Sequence, residues 1–274
     1  MPTVTVNGLD LHYREAGSGI PLFLIHGHTG SSRSWEPCLP VLSQRYRVIA
    51  PDLPGHGLSG RPSDPAAYAP EAMAEALYGL MEELGLERCH LAGHSMGGMI
   101  AMLLALAHPE RLRSLMLIST SAEAPETART PGRARVLQIA REQGMEAAWE
   151  ALQTADYVAA ARFPDRPDLV QLRREQFLMT AREAFIHCSE AVARHPPFLR
   201  DLERLSLPVL IVCGEDDTFF VEPSRRMHQH LRGSQLVFMP GCGHRPQFDR
   251  TEEFNRIVLD FLQRVDAASG AGGG

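Results

Sequence analysis

Short apolar, β-branched runs alternate with longer helical patterns along most of this chain, and that alternation limits it to few folds. "PLFLIHG", "YRVIAPDLPG", "RCHLAG", "LRSLMLIST", "LPVLIVCG" and "SQLVFMPG" read as buried strands. Helical stretches near Ser34–Ser43, Pro70–Leu84, Ser95–Ala107, Pro223–Leu231 and Thr251–Val265 stand between or after them. Neighbouring parallel strands need a crossover, and helices are the usual crossover. The pattern therefore predicts an α/β fold, a mainly parallel sheet covered by helices on both faces. "TVTV" and "LDLHYREA", around Asn7-Gly8, read as an N-terminal hairpin.

The alternation stops between Ser121 and Leu205. That stretch has no convincing strand and four helical patterns: "RARVLQIAREQG", "MEAAWEALQT", "PDLVQLRREQFLMTA" and "REAFIHCSEAVARH". Residues 1–121 and 206–266 are expected to form one core, and 122–205 an all-helical insertion over the C-terminal edge of the sheet. The end, "AASGAGGG" (267–274), is expected to be a flexible tail outside the fold. Acidic and basic residues balance in the insertion, and the chain has no lysine cluster. A small to medium substrate, mostly apolar around its reacting group, is the corresponding expectation.

Composition excludes several functions. The net charge of -6 argues against a nucleic-acid binder, which needs a basic face. Five scattered cysteines with no C-x-x-C pair indicate neither a zinc site nor a disulfide framework, and suit a reducing cytoplasm. The N-terminus lacks the basic start and apolar core of a signal peptide. The longest apolar run, Met96 to Ala107, falls short of the roughly 20 residues of a membrane span. All 27 basic residues are arginine. A chain without lysine can form neither a phosphate-binding G-K-[ST] loop nor a pyridoxal phosphate Schiff base. Oligomeric state leaves no trace in the sequence.

Gly93-His94-Ser95-Met96-Gly97 fits G-x-S-x-G at a strand-to-helix corner. Such a corner presents the serine hydroxyl above the sheet edge, and small neighbours let strand and helix approach closely. A glycine-rich helix start of no function is the plainer reading, but the strand before and helix after favour a nucleophile. Asp217 lies in "GEDDTFF" after one strand, and His244 in "GCGH" after another. Both loops fall at the sheet edge that carries Ser95. Each alone also reads as an ordinary solvent-facing polar residue; a serine, an acid and a histidine at strand ends in that order are harder to dismiss. Periodicity does not choose between Asp216 and Asp217. Glu215 directly follows the strand-ending glycine, and Glu123 follows the preceding strand. His26-Gly27-His28 ends an earlier strand. A metal pair there lacks further ligands nearby; a loop supplying a backbone N–H to an oxyanion, or a mere turn, are the alternatives. Gly55-His56-Gly57-Leu58-Ser59-Gly60 matches G-x-G-x-x-G, but Pro62 and Pro65 break the helix that a dinucleotide fingerprint must open, so it reads as a turn.

"HGHTGSSRSW", "YRVIAPDLPGHGLSG", "GHSMGG", "PVLIVCGEDD" and "GCGH", in this order, resemble the α/β-hydrolase superfamily over nearly the full length. The insertion resembles that family's cap. The resemblance implies Ser95 as nucleophile, Asp217 as acid and His244 as base, with the backbone amides of His28 and Met96 as oxyanion hole. It points toward carboxylesterases and 3-oxoadipate enol-lactonase-like hydrolases. Haloalkane dehalogenases and epoxide hydrolases differ, since they place aspartate where Ser95 stands. The first loop lacks the longer glycine-rich run of meta-cleavage C–C hydrolases. Expected, then, is hydrolysis of a small to medium ester or lactone without cofactor or metal. A C–C hydrolase acting on a diketone and a non-catalytic ligand receptor are the alternatives.

Overall fold

The computed structural model describes residues 2–155 and 166–270. Its centre is an eight-stranded sheet: β1 (Thr3–Val6), β2 (Leu9–Ala16), β3 (Pro21–Ile25), β4 (Arg47–Pro51), β5 (Cys89–His94), β6 (Leu112–Ile118), β7 (Val209–Gly214) and β8 (Gln235–Met239). The spatial order is β1-β2-β4-β3-β5-β6-β7-β8. β2 runs antiparallel to β1 and β4, and every pairing from β4 through β3 to β8 is parallel. The hairpin turns at Asn7 and Gly8, both at positive φ (50° and 82°), the conformation a tight two-residue turn demands.

Side chains alternate faces along a strand, and the two layers follow from that parity. Phe23, Ile25, Leu91, Leu115, Leu117 and Ile211 share one apolar layer with α2 (Pro70–Glu83), α3 (Met96–Ala107) and α8 (Thr218–His230). Leu22, Leu24, Ala92, Met116, Ile118, Leu210 and Val212 point the other way, toward α1 (Leu39–Leu42) and α10 (Thr251–Gly270). Burying each Leu, Ile or Phe contributes about 1.5–3 kcal/mol. A strand slipped by one residue would put the wrong set on each face.

Between β6 and β7, α4 (Pro131–Gln143), α5 (Met145–Leu152), α6 (Pro167–Met179) and α7 (Arg182–Arg194) follow one another. They hold an apolar cluster of their own, with Val136, Ala140, Trp149, Phe177 and Phe185 buried together. Phe198, Leu202 and Leu205 instead join the layer of the sheet. Positions 156–165 of the expected insertion lie outside the described residues. Among the described residues, no helix is long and apolar enough to cross a membrane.

Three element bounds differ from the sequence reading. The stretch Ser34–Ser43 is a 3-10 turn (Ser32–Trp35) and the one-turn α1, because Pro37 and Pro40 interrupt a longer helix. α8 starts at Thr218 and carries Pro223 inside it. α10 continues to Gly270, past the expected start of the tail at 267, and 271–274 lie outside the described residues.

Candidate active site

β5 ends at His94 and α3 begins at Met96, so one residue makes the corner. Ser95 has φ 55° and ψ -121°, backbone angles that strain any residue with a Cβ. Its N–H donates to Ile118 O (2.9 Å), and Thr120 Oγ1 donates to Ser95 O (2.6 Å). Glycine is required around it by close approach. A Cβ on Gly93 would stand 2.2 Å from Gly97 O, and one on Gly97 would stand 2.3 Å from His26 O. The helix start is thus pressed against both β5 and the loop after β3.

Two other loops converge on the hydroxyl. A Cβ on Gly214 would meet both Cys242 O and Gly243 O at 2.2 Å, so the loops after β7 and β8 touch backbone to backbone. That contact brings Asp217 to His244. Asp217 Oδ2 stands 2.8 Å from His244 Nδ1, and His244 Nε2 stands 3.1 Å from Ser95 Oγ. With Nδ1–H donating to the carboxylate, Nε2 is left to accept the Ser95 proton. Asp217 is 1% exposed, whereas Glu215 and Asp216 are exposed. Glu123 is engaged elsewhere, 3.1 Å from Arg226. Of the four carboxylates the sequence offers, Asp217 is the one at the imidazole. His94 Nε2 donates to His244 O (2.7 Å), and the rings of His94 and Phe220 stand on the His244 ring at 4.9 and 4.8 Å.

His28 and Met96 line the same cavity as Ser95. Met96 opens α3, where a helix leaves its first N–H groups without intrahelical partners. The loop carrying His28 turns at Thr29 (φ 60°), with Gly30 N–H donating to Gly27 O (2.9 Å). His26 fixes that loop from below. Its Nδ1 donates to Gly27 O (2.8 Å), and its Nε2 accepts from Leu53 N–H (3.0 Å). Both ring nitrogens serve the backbone. His28 Nε2 donates to Phe185 O (3.2 Å) on α7, and the two rings stack at 5.1 Å. Asp52 is a second anchor, accepting from Ser32 N–H (2.5 Å), Leu58 N–H (2.9 Å) and His12 Nδ1 (2.8 Å). The Gly55–Gly60 segment is a turn, closed by Gly55 N–H to Gly60 O (2.8 Å). Gly57 is where it passes Asp52, since a Cβ would fall 2.2 Å from Oδ2.

Burial keeps the histidines under this site neutral. It lowers the values of His26, His28 and His94, and brings His56 down to about 3. These folded values lie below the ordinary 6.5, so the stability they contribute is full above that pH. It is lost as pH falls toward the folded values, because the unfolded chain takes up protons that the folded chain refuses. The melting temperature is therefore expected to fall steadily from pH 7 to pH 5. His56→Gln should flatten that slope in melts recorded across the range. A wild-type melting temperature that is level between pH 7 and 5 would contradict this.

The cavity at Ser95 is lined by Leu152, Phe177, Phe185 and Val192, from the segment between β6 and β7, and by Met99 and Phe220. Trp149 packs against Phe177 (5.5 Å). The lining is mostly apolar, but Arg133, Arg173 and Arg245 also line the cavity.

The chain belongs to the alpha/beta hydrolase fold family, whose model matches residues 20–251. RutD of Stutzerimonas stutzeri (strain A1501), named for carbamate hydrolysis, is 32% identical over 92% of this chain and 95% of its own. The 2-hydroxy-6-oxononadienedioate/2-hydroxy-6-oxononatrienedioate hydrolase 2 of Pseudomonas putida is 31% identical over 93% of this chain and 92% of its own. A solved structure of a thermophilic esterase from Thermogutta terrifontis, with malate bound, superposes with a TM-score of 0.85 at 28% identity, covering 97% of this chain and 99% of that one. The protein is accordingly a hydrolase by family, and the names of these relatives differ in the bond they address.

Proposed function

We propose that this hydrolase cleaves a small to medium carboxylic ester or lactone through an acyl-enzyme on Ser95. The observation that carries the reading is the unbroken chain from Asp217 through His244 to Ser95 Oγ, three residues that line one cavity. His244 Nε2 takes the Ser95 proton as Oγ bonds to the carbonyl carbon, whose π electrons move to oxygen. The buried Asp217 carboxylate holds the imidazole and stabilises it once charged. The amides of His28 and Met96 receive the oxyanion, one such donor being worth about 3 kcal/mol. Collapse breaks the C–O bond, and His244 returns its proton to the departing alcohol. Water then attacks the acyl group with His244 again as base. Residues 122–205 act as a cap that excludes bulk water and shapes the pocket. No cofactor enters this chemistry, and the partner is a small molecule.

The Pseudomonas putida relative favours a second reading. Its name specifies an oxo dicarboxylate, and hydrolysing such a ketone breaks a C–C bond. Here the same residues would release a carboxylic acid and a carbon leaving group in place of an alcohol. A panel of short-chain 4-nitrophenyl esters, aliphatic lactones and a 2-hydroxy-6-oxo-dienoate separates the two. The proposal expects kcat/KM for the best ester or lactone to exceed that for the dienoate by at least tenfold. The reverse order would overturn it in favour of the C–C hydrolase.

A further inference from the structure

Arg245 is the residue next to His244, at the mouth of the one-turn α9 (Pro246–Asp249). It lines the Ser95 cavity yet is only 8% exposed. Its Nε is buried with no hydrogen-bond partner, and among the described residues its guanidinium makes no ion pair. The charged and titratable groups around it do not compensate. Arg173, across the cavity lining, is a like charge, and His26 and His94 are held neutral by burial. The field of Asp249 favours the charged form, and its Oδ2 accepts from Gly243 N–H (2.8 Å). Burial and Arg173 bring Arg245 down to about 9, so it is still a cation at neutral pH.

Burying a cation without a counter-ion costs stability, and proteins rarely retain one without a use. The missing counter-ion is best supplied from the cavity, which Arg245 lines. We infer that Arg245 is a specificity-determining residue that binds a carboxylate carried by the substrate, so that the natural substrate is an anionic ester or lactone. The inference rests on the serine-hydrolase reading above for the reacting bond, but not for the anion. A planar guanidinium suits a carboxylate because its parallel N–H groups meet both oxygens. Its place beside His244 puts that anchor close to the reacting carbonyl, where binding energy serves orientation.

Two esters of equal length test this: mono-4-nitrophenyl adipate, which ends in a carboxylate, and 4-nitrophenyl hexanoate, which does not. The readout is the ratio of their kcat/KM values. Arg245→Gln is expected to lower the ratio at least tenfold, and Arg245→Lys to restore part of it. In the Ser95→Ala background, calorimetry should show adipate binding weakened at least tenfold by Arg245→Gln. The melting temperature of Arg245→Gln should equal or exceed that of the wild type, since an uncompensated buried charge is removed. A ratio unaltered by Arg245→Gln, or lowered only by Arg173→Gln, would overturn the inference. So would a melting temperature that falls by many degrees, which marks a structural arginine. Failure of fluorophosphonate to label Ser95 would defeat the serine-hydrolase reading alone, because the calorimetric arm needs no turnover.

Discussion

Ser95→Ala is expected to lower kcat by on the order of a millionfold, the loss seen when a triad serine is removed from a serine protease. The substitution deletes the Oγ that stands 3.1 Å from His244 Nε2 and alters little else. Alanine meets the same strain at φ 55° as serine does, so the corner neither gains nor loses on that account. The backbone bonds that hold it, to Ile118 O and from Thr120 Oγ1, do not involve the deleted atom. The folded state should therefore survive, with a melting temperature within about 4 °C of wild type, the shift that roughly 1 kcal/mol produces in a chain of this size. Initial rates on the best ester, with melts on the same preparation, check both halves. Turnover within tenfold of wild type would remove Ser95 from the chemistry.

Asp217→Asn should cost roughly ten-thousandfold, the penalty of the same swap in a serine protease, while Asp216→Asn costs little. The asparagine amide fits the same space but can present N–H to His244 Nδ1, which selects the tautomer with its proton on Nε2. That tautomer cannot accept the Ser95 proton. Asp217 is almost fully buried and 2.8 Å from the imidazole, so no water replaces the lost acceptor. Asp216 is exposed, and its N–H, not its carboxylate, joins the neighbouring loop through Cys242 O (2.9 Å). Turnover of both purified variants at one pH decides the matter. A dead Asp216→Asn beside an active Asp217→Asn would move the acid by one residue.

How much of this was legible follows from the range of each interaction. Ser95 stood out because its signal is local: strand, glycine corner and helix lie within "HLAGHSMGGMIAMLLALA". His244 and Asp217 could be assigned to one sheet edge because each follows a strand in an alternating fold. The choice of Asp217 over Asp216 came from resemblance, and the geometry gives its reason in burial and in the contact of Gly214 with the loop of Cys242. The anchors beneath the His28 loop left no local pattern. Asp52 meets His12 across 40 residues, and His26 meets Leu53 across 27. The arginines of the cavity were invisible for the same reason. Arg173 on α6 and Arg245 after β8 reach one cavity only after the helices between β6 and β7 fold over the sheet. Helix bounds failed where proline chemistry is two-sided: Pro37 and Pro40 broke an expected helix, while Pro223 was carried within one.

The most direct test of the central claim is the site of covalent capture. The wild-type protein is treated with a fluorophosphonate at neutral pH, digested, and its peptides mapped by mass spectrometry. The account predicts one phosphonylated residue, Ser95, with label and ester turnover lost at the same rate and labelling slowed severely in Asp217→Asn. Complete labelling at another residue, or full ester turnover in protein phosphonylated at Ser95, would contradict it.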